Sequence, residues 1–174
     1  ANTGRLRTVY SEKERTHIDY ATMFQKLKGD RFILASQQSG WNNLYLIDWL
    51  TGKIIQNLTP GEYVVNRVVH VDEDKNLLYF MAAGREKGRN VYYQHLYRVG
   101  LDGKGLTLIT PENAFHEIYL SEDKKYVVDN YSTVNQATKS VLRDFESGNI
   151  LMQISEADIS RLKAKGYQSP QQFS

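Results

Sequence analysis

Four histidines, His17, His70, His95 and His116, and no cysteine at all limit the chemistry open to this chain. Without thiols there are no disulfides, no thiolate nucleophile, no zinc ribbon and no iron–sulfur cluster. Imidazoles that share a zinc ion usually lie four apart on a helix or across a tight hairpin, and these four are too far apart in sequence for either. Each is expected to be a structural or surface histidine, with no metal and no cofactor. A serine nucleophile held on a strained turn needs Gly-x-Ser-x-Gly, and that pattern is absent. The expected set of catalytic residues is therefore empty.

Other polar features are weaker. "SEKER" offers Glu12 and Glu14, separated by Lys13. "GREKGRN" (84–90) is the densest charge cluster in the central region, either a partner-binding hairpin or a solvated turn. Trp41 in "SGWNNLY" is expected to pack rather than to stack on a ligand. The glycosylation triplets at Asn57 and Asn130 arise easily by chance and decide nothing.

Composition narrows the classes further. The 174 residues carry 41% hydrophobic and 11% aromatic side chains, enough for a real core. Lys and Arg number 22 against 20 Asp and Glu, a net charge of +2 with the signs intermingled. No basic footprint for nucleic acid or an anionic membrane stands out, so neither is expected as a partner. No apolar stretch approaches the roughly 20 residues of a spanning helix, and no targeting signal is expected within these residues.

The elements that must position these residues are strands. "RFILAS", "NNLYLIDW", "YVVNRVVHV", "NLLYFMAA", "VYYQHLYRV" and "KYVVDNYS" are rich in Val, Ile, Tyr and Phe and are separated by polar or Gly turns. One short helix is expected over 155–166, with Ser155 as its N-cap and Gly166 as its stop.

The strands repeat. Leu44-Tyr45, Gly52-Lys53 and Leu58-Thr59 reappear as Leu96-Tyr97, Gly103-Lys104 and Ile109-Thr110, and Gly148 and Ile154 mark a third copy. "VDEDKNLLYFMA" likewise resembles "LSEDKKYVVDNY". A four-stranded antiparallel unit repeating at this interval is the signature of a β-propeller blade, and a β-sandwich with similar hairpins is the competing reading. The fold expected is all-β, a partial propeller of about three four-stranded blades near 16–59, 63–110 and 113–155. Residues 1–15 precede the blades, and 156–174 form a helix and linker. Propellers close with about 4 to 8 blades, so three imply a piece of a larger ring.

"RFILASQQSGWNNLYLID", "NLTPGEYVVNRVVHVDEDKNLLYF", "HLYRVGLDGKGLTLIT", "LSEDKKYVVDNYSTV" and "VLRDFESGNI", in this order, resemble the second half of the N-terminal propeller domain of the dipeptidyl peptidase IV family, within the prolyl oligopeptidase clan. The likeness runs over about residues 10 to 174. Its most specific words are Ser36 to Tyr45 and the joint from Leu58 to Gly61. Two positions depart from the pattern: Asn43 stands where the family has His, and His17 where it favours Trp.

The resemblance implies that this chain is a propeller fragment of a serine peptidase that removes N-terminal dipeptides, shaping substrate access while an α/β-hydrolase domain beyond Ser174 supplies the triad. The partners it implies are the peptide substrate, that hydrolase domain and the remaining blades. It implies a secreted or periplasmic parent. In some members the loop before the first strand edges the substrate cavity with an arginine and an aromatic ring, which would correspond to Arg15 and Tyr20. An open fan of blades is also expected to self-associate. The alternative is a noncatalytic propeller that binds proteins or glycans.

Overall fold

The computed structural model describes residues 4–13, 15, 18 and 23–170. Its strands form three four-stranded antiparallel sheets, each a simple meander in chain order. The first contains β1 (Phe24–Leu27), β2 (Arg31–Ser36), β3 (Asn43–Asp48) and β4 (Ile54–Asn57). The second contains β5 (Val64–Asp72), β6 (Leu77–Ala83), β7 (Gln94–Gly100) and β8 (Thr107–Leu108). The third contains β9 (Phe115–Leu120), β10 (Tyr126–Thr133), β11 (Gln136–Asp144) and β12 (Ile150–Glu156), and a short helix, α1 (Ser160–Ala164), follows. This is a partial propeller, as the repeats predict.

The sheets stack face to face, which explains why the central strands read as unbroken apolar runs. A strand covered on both faces has no solvent side to mark with polar residues. On β6, Leu78, Phe80 and Ala82 enter a core shared with Ile33, Leu44 and Leu46 of the first sheet. Tyr79 and Met81 point the other way, into a core with Ile118, Val127 and Phe145 of the third. The Tyr79 and Phe145 rings stack at 4.1 Å between centroids across that seam.

The repeated Gly turn has one job in every sheet. Gly52, Gly103 and Gly148 adopt φ of 70°, 76° and 76°, the left-handed region where a side chain is strained. Each also lies against the chain segment before its own sheet. A methyl group at Gly103 would sit 3.0 Å from the Asn57 carbonyl oxygen at the end of β4, and one at Gly148 would sit 2.5 Å from that of Ile109, just past β8. Gly52 meets the Val9 carbonyl in the same way. Residues around Val9 and Tyr10 thus cover Phe32, Tyr45 and Ile47 of the first sheet, in the place a preceding outer strand would take.

The turns are closed by matching bonds. Asp48 Oδ1 accepts the Thr51 backbone N–H at 2.6 Å, and Asp144 Oδ1 accepts that of Ser147 at 2.7 Å. These bonds, the side-chain hydroxyls first, hold both carboxyls below the ordinary range. The Leu-Thr and Ile-Thr endings recur because Thr59 Oγ1 accepts the Leu44 N–H at 2.8 Å and Thr110 Oγ1 that of Leu96 at 2.9 Å.

The helix departs from expectation at its start. Ser155 belongs to β12, opposite Ser140, so it caps nothing. The apolar run Ile150–Ile154 continues the sheet and delays the helix to Ser160, where Asp158 accepts the Ser160 N–H at 2.8 Å. The stop is as expected: Gly166 has φ of 87°, with Gly166 N–H bonding Lys163 O and Tyr167 N–H bonding Leu162 O, a Schellman ending.

Replacing Gly148 with Ala combines backbone strain with collision against Ile109 and is expected to cost at least about 2 kcal/mol. Gly88→Ala, at φ 75° with open space around it, carries only the backbone cost, about 1–2 kcal/mol. Urea midpoints for the two variants check this; equal losses would mean that the close approach does not matter.

Candidate functional site

Charged residues sit deep in the seam between the second and third sheets. On β10, Val127, Asp129 and Tyr131 share the face toward the second sheet, and the register places Asp129 opposite Ile118 and Val141. Asp129 and His116 are fully buried and Arg143 is 1% exposed. A lone charge there would be prohibitive, so each must be paired.

Arg143 Nε donates to Asp129 Oδ2 at 2.9 Å, Nη2 to Glu112 Oε2 at 2.6 Å and Nη1 to the Gly148 carbonyl at 3.1 Å. His116 Nδ1 lies 3.0 Å from both Asp129 oxygens, and Nε2 lies 3.0 Å from the Glu112 carbonyl. Both ring nitrogens face acceptors, so the imidazolium, with a hydrogen on each, satisfies both. Two carboxylates, a guanidinium and an imidazolium make a closed set.

Glu112, His116 and Asp129 bring donor atoms within 4.8 Å of one another, close enough in principle to share a metal ion. Arg143 already engages both carboxylates, so the donors serve an organic cation. An ion would have to break two short charge-assisted bonds to enter.

His95 of β7 abuts this set. Its ring lies 5.0 Å from that of His116, and Nδ1 bonds the Thr110 carbonyl at 2.9 Å. Its Nε2 is buried without a partner. Burial first, then the His116 charge, pushes its pKa down to about 4. Hence His95 is neutral, with its hydrogen on Nδ1.

The charged loop 84–90 is anchored rather than free. Tyr97 Oη donates to Glu86 Oε1 at 3.0 Å, Arg85 pairs with the same oxygen at 2.7 Å, and Arg89 Nη1 reaches the Glu112 carbonyl at 3.4 Å. Burial pushes the Glu86 carboxyl up, but Tyr97 and Arg85 outweigh it and hold it below the usual range. Beyond the anchor, Val91 and Tyr92 are 62% and 81% exposed. A cleft of about 770 Å³ lies beside the loop, lined by Tyr63, Arg85 and Glu86 among others.

The remaining predicted residues are distributed. Arg15 is exposed, while Tyr20, His17 and Glu14 lie outside the described residues. Glu12 Oε1 accepts Ser36 Oγ at 2.9 Å and the Gln37 N–H at 3.1 Å, tying the segment before the first sheet to the 37–42 loop. Asn43, in place of His, is fully buried and accepts Ser39 Oγ at 2.9 Å. Trp41 is 39% exposed rather than packed. The His95–His116 meeting is missed by sequence spacing, because it arises from two sheets stacking. The available signal is His95-Leu96-Tyr97 itself, which repeats the position of Asn43-Leu44-Tyr45.

Residues 1–138 match the family model described as the dipeptidyl peptidase IV N-terminal region. A dipeptidyl peptidase 4 of Trichophyton rubrum is 28% identical over 141 residues, covering 80% of this chain and 18% of the relative. A probable dipeptidyl peptidase 4 of Aspergillus fumigatus is 32% identical over 80 residues, 46% of this chain and 10% of the relative. In structure, dipeptidyl peptidase 4 of Porphyromonas gingivalis aligns with a TM-score of 0.66 at 19% identity, over 83% of this chain and 20% of that one. A putative dipeptidyl aminopeptidase IV of Bacteroides ovatus aligns at 0.63 and 20% identity, over 79% of this chain and 21% of that one. The chain spans about a fifth of the length of the first of these relatives.

Arg143→Ala removes the guanidinium shared by fully buried Asp129 and half-buried Glu112 and is expected to cost about 3–5 kcal/mol. Arg143→Lys restores the charge but not three separately directed N–H bonds, so it should recover less than half of that loss. Chemical denaturation of both variants checks the pair; full rescue by Lys would show that charge alone matters.

Proposed function

Because the chain belongs to the family of dipeptidyl peptidase IV N-terminal regions, we propose that it is the part of a serine peptidase propeller that shapes substrate access, without supplying a catalytic group. The match over residues 1–138 carries this reading. The chemistry of the cluster agrees with it: Asp129, His116, Glu112 and Arg143 are bonded to one another and to backbone carbonyls. An aspartate beside a histidine is two members of a triad, but here both His116 nitrogens face acceptors, Asp129 and the Glu112 carbonyl, and neither faces a nucleophile. In the whole protein, an α/β-hydrolase domain beyond Ser174 would attack the peptide, with the blades admitting its amino end. A secreted or periplasmic location fits that task. The chain's partners are then the hydrolase domain, the peptide and further blades, and the uncovered outer sheet face would also support self-association of the isolated chain.

A binding platform without chemistry is the second reading, favoured by the rigidly based, exposed Val91-Tyr92 pair. The coding sequence after residue 174 separates the two. Gly-x-Ser-x-Gly followed by Asp and then His supports the peptidase, and an unrelated domain or a stop sinks it. The purified chain is expected to leave Xaa-Pro chromogenic dipeptides intact; turnover that survives repurification would overturn its noncatalytic assignment.

A further inference from the structure

We infer that the His95–His116 contact is an acid-released latch between the second and third sheets. Three geometric facts lead there. Both rings are buried, at 2% and 0% exposure. Their centroids are 5.0 Å apart across the seam, with no strand hydrogen bonds joining the two sheets there. His116 is satisfied at both nitrogens, whereas His95 has one partner, Thr110 O, and an Nε2 with none.

Protonating His95 would therefore place a hydrogen on a buried nitrogen with nothing to receive it, beside a second imidazolium. The surrounding charges do not relieve this. Arg89 on the loop before β7 opposes the added charge, and Glu86 on the same loop favours it only weakly, being committed to Arg85 and Tyr97. On the third sheet, Asp129 and Glu112 are already neutralised by His116 and Arg143. The other seam bonds at this end, Gln94 Nε2 of β7 to His116 O of β9 at 3.0 Å and Arg89 to Glu112 O between the loops before those strands, lie beside the contact and would loosen with it.

The direction in pH follows. His95 in the folded chain is pushed down to about 4, below its ordinary 6.5. As pH falls the unfolded or opened chain takes up the proton first, so the stability His95 contributes is intact above about 6.5 and drains away toward 4. The gap corresponds to a rise of up to about 300-fold in the opening constant. The latch is closed at neutral pH and weakened in acid, and it does not depend on the peptidase assignment.

The test compares the wild type with His95→Asn, whose amide can still donate to Thr110 O but does not titrate. Hydrogen exchange, corrected for intrinsic rates, is followed from about pH 7 to pH 4. In the wild type, protection at Leu96 and Ile118 should fall far more than at Ile33 and Leu46 of the first sheet, and His95→Asn should remove most of that difference. Parallel profiles for the two proteins, or a loss spread evenly over all three sheets, overturn the latch. If His95→Asn does not fold, imidazole NMR titration of the wild type decides: a His95 signal unchanged until below about pH 5, followed by seam opening, supports it, and ordinary titration near 6.5 overturns it. His116→Asn, which keeps a donor toward Asp129 but removes the charge, should move the His95 transition to higher pH.

Discussion

Everything in this fold depends on how closely a glycine turn can approach the chain segment that precedes its sheet. Gly52, Gly103 and Gly148 lie against Val9, Asn57 and Ile109, at distances that leave no room for a side chain. That contact fixes the spacing between sheets, and the spacing decides which side chains share a core. Tyr79 can stack on Phe145, and Met81 can reach Ile118, only because the sheets are held that near. It also brings buried charge together, since the Arg143 guanidinium donates to the carbonyl of Gly148 in the same turn.

The polar cluster in the second seam is a structural device made of reactive parts. Aspartate, histidine, glutamate and arginine are the usual material of active sites, and perturbed, buried groups are ordinarily good candidates for chemistry. What separates this cluster from a catalytic one is saturation. Arg143 bonds both carboxylates, and both His116 nitrogens face acceptors within the set, so its strongest interactions are spent internally. Such a set costs desolvation and returns alignment: it ties β9, β10 and β11 of the third sheet to one another. Only His95 Nε2, at its margin, is left over.

The hairpins were legible in the sequence because their constraints are local. Gly at a left-handed turn, Asp three residues before Thr or Ser, and Thr at the closing position are each demanded by bonds within a few residues or across one hairpin. The apolar run of β6 also reads correctly as a strand, and the structure covers it on both faces. The buried cluster was less legible, because its partners come from inter-strand register and from stacking between sheets. Arg143 amid Val141, Leu142 and Phe145, and Asp129 after Val127 and Val128, do carry a signal: a charge in phase with buried positions must have a counter-charge. The helix starts later than its cap chemistry predicts, because Ser155 resembles a cap while its position in register belongs to β12. Trp41 shows the converse, an aromatic residue whose type suggests burial but whose loop position leaves it 39% exposed.

β12 is exposed at all seven positions, with Ile150, Leu151, Met152 and Ile154 between 47% and 55%. In the first two sheets the corresponding outer strand leads into the glycine turn of the next. The stack therefore has polarity, like a filament whose two ends are chemically different. Its rear receives a strand-like segment and its front offers one, so two copies of the same end cannot substitute for the natural contact. Additions obeying that contact must repeat in a single sense of rotation, and a closed circle is the arrangement that leaves neither end unmatched.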